Sequence, residues 1–380
     1  MAESVKTNAS AVKRRNGVID LLRFVFSMII VLHHTRYLLG DDNCLFLGGS
    51  LAVEFFFIVS GYLCMNSAEK MNAKTSPSAQ TAMPETGTGL GTETVGFIKK
   101  KLSGILPEFI TAWIIGFIFV WAAKGLTVHE AARMFGRDFF ELTLVKMSGL
   151  FIRGFDGVIW YISAMLLCMA VLYPLLRRFP NFMPRIGCPL VALFFLGYLC
   201  RNYDHPRNPT VWTGIVYKGL IRCMAELCLG VVVFLIVRRI RKYRLNRPSA
   251  VAVAIIEILM YAAVIIYMYR EDPSDKDYFW IFILCVAITL TFSGLGAGSH
   301  ILDGRVTSFL AKYSTALYLS HIYYAQNLLR ILPQNMSRTA LVTVYLICAG
   351  GTAFVVMGIA YFLRQKKRAI MSGLKKCFLA

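Results

Sequence analysis

Arg23 and His34 stand eleven positions apart inside an apolar stretch, roughly 18 to 40, that is long enough to cross a bilayer. In a helix of 3.6 residues per turn the two side chains return to nearly the same face, about 16 Å apart along the axis. Ionisable groups at such depth are expensive to bury and line cavities or pathways. The guanidinium, always charged and planar, suits a phosphate or a carboxylate. The imidazole suits a general base near neutral pH. The competing reading of Arg23 is a salt bridge to Asp20, three positions earlier on the same face.

Glu54 sits in the next apolar run, SLAVEFFFIVSGY, and the run directions put it at a depth similar to that of His34. A carboxylate that orients an imidazole and stabilises its charged form is the usual support for a histidine base. A plain His–Glu hydrogen bond between neighbouring helices fits the same residues. His33 points about 100° away from His34. Ser60, in the run of Glu54, adds a hydroxyl, and Lys100 and Lys101 lie just before the third apolar run. In KYSTALYLSHIYYAQN, Ser314, Tyr318 and His321 recur at i, i+4 and i+7, a polar face that lipid would not favour. It lines the same interior or packs helices together. Arg222 and Glu226 are spaced to pair with each other, with Arg222 alternatively holding an anionic substrate, and Glu257 is a solitary carboxylate.

These residues need apolar helices to carry them. The chain has 380 residues, is 57% hydrophobic and has a mean hydropathy of +0.59. This composition predicts an all-α polytopic membrane protein. Spanning runs lie near 18 to 40, 45 to 66, 105 to 124, 157 to 176, 184 to 200, 216 to 237, 249 to 269, 278 to 297, 308 to 330 and 340 to 363, which makes about ten helices around a central cavity. Residues 67–95, rich in Thr, Ser, Ala, Gly and Pro, read as a flexible loop. The loop 125–157 has periodic apolar residues and predicts short helices on the outer surface. The expected organisation is a cytoplasmic segment 1–17, a membrane domain 18–363 and a basic tail 364–380, so the membrane domain itself must supply the chemistry.

The net charge of +20 falls mainly in alternate loops, as the positive-inside rule requires, rather than on one nucleic-acid-binding face. Both termini are expected in the cytoplasm. The dense runs 238–247 and 364–376 then meet anionic membrane lipids or a phosphorylated substrate at the inner face. Lys13, Arg14 and Arg15 precede a span too long for a cleavable leader, so the first helix is expected to be its own insertion signal. The ten cysteines show no Cys-x-x-Cys pair and mostly sit in apolar runs, which predicts core residues and no metal site.

At these residues the chain resembles acyltransferase family 3, integral-membrane acyltransferases that O-acylate bacterial surface glycans and some small molecules. Arg23 and His34 match the family's Arg-x10-His signature. Val53, Glu54, Phe56, Phe57, Ser60, Gly61 and Tyr62 match its V-acidic-x-F-F-x-x-S-G-Y pattern. Before the third span the family reads basic-x-x-Arg-Ile-x-Pro, and here Lys101, Gly104, Ile105 and Pro107 leave out the second Arg. Trp160, Tyr161, Tyr173 and Pro174 resemble its Trp-Tyr-Leu segment without the Glu of some branches. Ser314, Thr315, Tyr318, Leu319 and His321 resemble its late Ser-Tyr-x-x-Tyr-Leu-x-His run. The resemblance implies an acyl-CoA cosubstrate, no bound cofactor, ten core helices and a cavity to which Arg23 and His34 contribute.

Together these readings predict an O-acetyltransferase of the bacterial cytoplasmic membrane. Acetyl-CoA, held by Arg23 with Lys100 and Lys101, would acylate a hydroxyl of an exopolysaccharide or other surface glycan, or of its lipid-linked precursor. His34 would act as base, Glu54 would support it, and Tyr318, His321 and Ser60 would position the acceptor. A covalent acyl intermediate on His34 or Ser60 is the alternative to direct transfer. Rival functions are a transporter or flippase of a glycan lipid, an acyltransferase for small molecules, and a receptor without catalysis.

Overall fold

The computed structural model describes residues 16–74, 88–150, 154–298 and 301–377. Asn16 starts the first helix by accepting from Ile19 N at 3.1 Å, a side-chain N-cap. The helices are α1 (Gly17–His33), α2 (Arg36–Leu39), α3 (Ala52–Lys74), α4 (Thr88–Ala123), α5 (Val128–Asp138), α6 (Ile159–Arg178), α7 (Cys188–Asn202), α8 (Lys218–Ile240), α9 (Arg247–Arg270), α10 (Lys276–Ser293), α11 (Arg305–Ser320), α12 (Ile322–Asn327) and α13 (Arg338–Cys377).

Among the described residues, nine helices are long and apolar enough to cross a membrane. The expected span near 308 to 330 is built differently, as α11 and α12 with a break at His321. There the imidazole Nδ1 bonds back to Tyr318 O at 2.7 Å and Leu317 O at 3.2 Å, occupying carbonyls at the end of α11. Ser314, Ser320, His321 and Asn327 are all buried in this pair, so protein rather than lipid surrounds their polar groups.

Within the loop expected over 67–95, residues 67–74 and 88–95 are helix. α3 runs on to Lys74 and α4 starts at Thr88, leaving residues 75–87 outside the described residues. Composition misled because ion pairs anchor both helical ends. Arg177 of α6 grips Glu93 of α4 through Nε at 2.6 Å and Nη2 at 2.8 Å and also contacts Asn72 of α3, while Arg238 of α8 pairs with Glu69. The basic tail likewise continues α13 as helix to Cys377.

Small residues set a close crossing of α3 and α8. A Cβ added to Gly61 of α3 would lie 2.1 Å from Leu227 O of α8, and one added to Gly230 of α8 would lie 2.1 Å from Ile58 O of α3. The obstacle is backbone in both cases, so no rotamer change can relieve it. Gly61→Val is expected to force α3 and α8 apart and cost at least about 3 kcal/mol. Size-exclusion chromatography in detergent would then show loss of the monodisperse peak, whereas a wild-type profile would contradict this packing.

Two apolar clusters result. One joins α3, α7, α8, α9 and α10, the other joins α4, α11, α12 and α13, and α1 and α6 contribute to both. Tyr161 and Tyr318 pack against both clusters and mark the seam between them. At one end of the bundle the segments around Asn43, Leu47, Arg207, Met268 and Arg338 meet: Arg207 Nη2 donates to Leu47 O at 2.7 Å, Gly48 N to Met268 O at 3.0 Å, and Arg338 Nη1 to Asn43 Oδ1 at 2.9 Å. The opposite end carries the Glu69, Glu93 and Arg364 ion pairs.

The loop between α4 and α6 folds into α5 and short 3₁₀ turns, as its periodicity predicts. Its interior is polar: Lys146 Nζ lies 3.1 Å from Glu141 Oε1 and 3.0 Å from Asp156 O, and Trp113 Nε1 donates to Glu141 Oε2 at 3.1 Å. Gly154 abuts Glu141 where a Cβ would fall 1.8 Å from Oε1. Burial outweighs the ammonium and pushes the Glu141 carboxyl up to about 7. It pushes Asp156, which also faces Glu141, up to about 8. Both values lie above those of the unfolded chain, so the folded state holds protons that the unfolded state releases. The linked stability is complete below the ordinary carboxylate range and is lost as pH rises through about 7 to 8. Thermal unfolding midpoints in detergent are expected to fall from about pH 6 to about pH 9, less steeply in Glu141→Gln. A flat or rising profile would contradict the assignment.

Candidate active site

His34 caps the C-terminus of α1, its backbone N–H donating to Ile30 O. Its Nδ1 lies 2.9 Å from Ile30 O and 3.1 Å from His321 Nε2. Carbonyl oxygens only accept, so Nδ1 carries the proton in both rings: His321 donates to Tyr318 O, and its Nε2 lone pair faces His34. His34 Nδ1–H is then shared between Ile30 O and His321 Nε2. His34 Nε2 makes no hydrogen bond with the described residues and holds the available lone pair. A proton taken there leaves both His34 nitrogens as donors, with Nδ1–H already aimed at an acceptor. The carbonyl end of α1 also favours the positive charge that results, by about 0.3–2 kcal/mol. The site therefore holds an imidazole oriented by a second imidazole.

The support expected from Glu54 lies elsewhere. Its carboxylate faces Arg222, whose Nε is 3.0 Å from Glu54 Oε2 and 3.3 Å from Glu226 Oε1. Arg222 also donates to Pro206 O at 3.2 Å and Ser50 O at 3.1 Å, and its guanidinium carbon stands 5.6 Å from the Trp160 ring centroid. All three ionisable side chains are buried. Equal depth on neighbouring helices does not mean facing sides. The close α3–α8 crossing gives Glu54 to the cation on α8, and the imidazole finds its partner on the α11–α12 break. The expected Arg222–Glu226 pair is present, enlarged by Glu54.

His33 is engaged on both sides, at Phe46 O through Nδ1 (2.6 Å) and at Arg36 Nη1 through Nε2 (3.3 Å), which leaves no free lone pair for base chemistry. Tyr318 donates its hydroxyl to Val158 O at 2.8 Å, fixing the start of α6 against α11. Its ring stands 5.8 Å from those of Tyr161 and His321. Ser60 Oγ lies 3.5 Å from Met165 Sδ and reaches the Tyr161 hydroxyl. Arg23, half-buried lower on α1, acts electrostatically on the same phenol. Tyr161 thus connects Ser60 of α3 and the charge of Arg23 on α1 with Tyr318 of α11. Its place in the chain beside Trp160 was visible, but its proximity to Ser60 and Arg23 depends on how α6 is turned.

Lys100 is exposed on α4, and Lys101 Nζ stands 5.5 Å over the Phe97 ring centroid. One turn on, at Gly104, a guanidinium arrives from another helix. Arg364 of α13 donates to Gly104 O at 2.7 Å and grips Glu108 through both carboxylate oxygens at 2.5 Å.

A helical membrane bundle with a paired imidazole at its internal seam defines an integral-membrane protein equipped for acid–base chemistry. The family model of acyltransferase 3, described as an acyltransferase domain, matches residues 16–361, nearly the whole chain. The chain belongs to this family and is a membrane acyltransferase. No curated protein and no solved structure matches it.

Proposed function

We propose that this protein transfers an acetyl group from cytoplasmic acetyl-CoA to a hydroxyl of a cell-surface polysaccharide or its lipid-linked precursor, with His34 as general base, in the bacterial cytoplasmic membrane. The observation that carries the reading is the His34–His321 pair, with His34 Nε2 left available at the seam. The acceptor hydroxyl gives its proton to His34 Nε2 as its oxygen attacks the thioester carbonyl carbon. The C–S bond then breaks, and the proton passes from His34 to the departing thiolate, giving an ester and free CoA. His321 acts through His34, accepting from Nδ1–H while the imidazolium lasts. No enzyme nucleophile is required, and Ser60 stays with Tyr161 and Met165.

The donor enters in this reading from the Lys- and Arg-rich end. Arg23 faces a CoA phosphate or the polar arm about 16 Å below the base, with Lys100 and Lys101 at the entrance. Glu54 leaves the catalytic set and becomes part of the scaffold through Arg222. Arg23→Gln is expected to raise KM for acetyl-CoA about tenfold with a smaller effect on kcat, because it removes a charge-assisted contact remote from the reacting carbon. Thiol release at varied acetyl-CoA would test it, and an unchanged donor KM would remove Arg23 from donor binding.

A further inference from the structure

The rim of the seam beside His34 carries charged groups that proton transfer does not use. Arg36 follows His34 by two positions, and Arg207 enters from the loop between α7 and α8. His33 binds Phe46 O and Arg207 binds Leu47 O, the next carbonyl, which brings Arg207 within electrostatic reach of His33, His34 and Arg36. Arg36 holds His33 through Nη1, while its Nε, at 2.6 Å, and its Nη2 both meet Asp41, whose side chain is 76% exposed, so an incoming anion would take the place of that carboxylate. Arg207 is half-buried. Nη2 is fixed on Leu47 O, and Nε is buried with no hydrogen-bond partner among the described residues. Asp272 and Asp277 act on Arg207 electrostatically, but Asp277 is already bonded to the Tyr267 hydroxyl at 2.8 Å. Burial and the neighbouring Arg36 depress the Arg207 guanidinium from its usual range, so an anion beside it would stabilise its charge. One position after Arg36, the Tyr37 ring lies parallel to the His34 ring, 4° off and 6.0 Å away between centroids, with 46% of its surface exposed. An exposed aromatic ring beside His34, with two guanidinium groups at the same rim, suits a sugar ring that bears an anion.

We propose that the acceptor is an anionic sugar, its carboxylate or phosphate held by Arg36 and Arg207 and its ring against Tyr37, so that a nearby hydroxyl meets His34 Nε2. The inference rests on the reading of His34 as base for a glycan hydroxyl, and it narrows that reading to acidic acceptors. Arg36 and Arg207 are specificity-determining residues that do not touch the reacting atoms.

The test is mass spectrometry of surface glycans and lipid-linked precursors from the native host with and without the protein, then with Arg207→Gln and Arg207→Lys at matched membrane levels. The expected result is an acetyl mass lost from an acidic residue or its immediate neighbour when the protein is absent. Acylation should fall about 10- to 100-fold in Arg207→Gln and be largely retained in Arg207→Lys. A uronic acid at the modified position names the carboxylate as the anion, and a phosphorylated sugar names the phosphate. Acetyl loss confined to neutral stretches overturns the inference while leaving glycan acylation standing. Equal loss in Arg207→Gln and Arg207→Lys, with both variants monodisperse, also overturns it, because charge would then not be what matters. Glycans unchanged in every respect overturn the glycan-acylation reading itself.

Discussion

His34→Ala is expected to lower kcat for acyl transfer by about 10²–10⁴-fold, the range for loss of a positioned general base. The protein should still insert and run as a single species, because His34 ends α1 and contributes little apolar packing. His321→Ala is expected to do less, about 10-fold. His321 meets the acceptor only through His34, by fixing which nitrogen carries the proton. Ile30 O continues to orient the His34 ring when His321 is gone. Steady-state thiol release with the two variants would establish the order. A larger loss at His321 than at His34 would reverse the roles and make His321 the base.

Arg222→Met is expected to cost about 3–5 kcal/mol of stability, because it leaves Glu54 and Glu226 buried together without their cation. The four polar partners of Arg222 come from α3, α8, the α7–α8 loop and the segment before α3, so its loss loosens four pieces of chain at once. Arg222→Lys should fall between wild type and Arg222→Met. It keeps the charge but loses the fork that reaches Pro206 O and Ser50 O together. Combining Arg222→Met with Glu54→Gln and Glu226→Gln should recover most of the loss, since the cost lies in uncompensated charge rather than in missing volume. Thermal unfolding in detergent measures all three, and an Arg222→Met protein as stable as wild type would dissociate Glu54 from the scaffold.

Much of the architecture is legible in the chain because bilayer hydrocarbon admits few solutions. Apolar runs of spanning length had to be helices, and Arg23, His34, Glu54, Arg222, Glu226 and His321 stood out among the ionisable groups within them. The i, i+4 pairing of Arg222 and Glu226 needs only helical geometry, and it is present. What connects different helices was not legible to the same degree. His34 and Glu54 have similar depths, but the rotation of α3 is set by the glycine crossing at Gly61 and Gly230, which turns Glu54 to α8. The pairing of His34 with His321 joins residues 287 positions apart, and no local spacing announces it. A signal was available in the polar face of Ser314, Tyr318 and His321, which marked the α11–α12 segment as interior without naming its partner. Residues 67–74 and 88–95 misled for another reason. Their composition is that of a loop, and their helicity depends on Arg177 and Arg238, which lie far away in sequence.

The central claim is that this membrane acyltransferase moves an acyl group from CoA to a glycan hydroxyl with His34 as base. Transfer of label from [¹⁴C]acetyl-CoA to extractable glycan, in membranes holding equal amounts of wild type or His34→Ala, tests it most directly. The account predicts labelled, alkali-labile ester in glycan from wild-type membranes and background counts from His34→Ala. Equal labelling by the two proteins would contradict it.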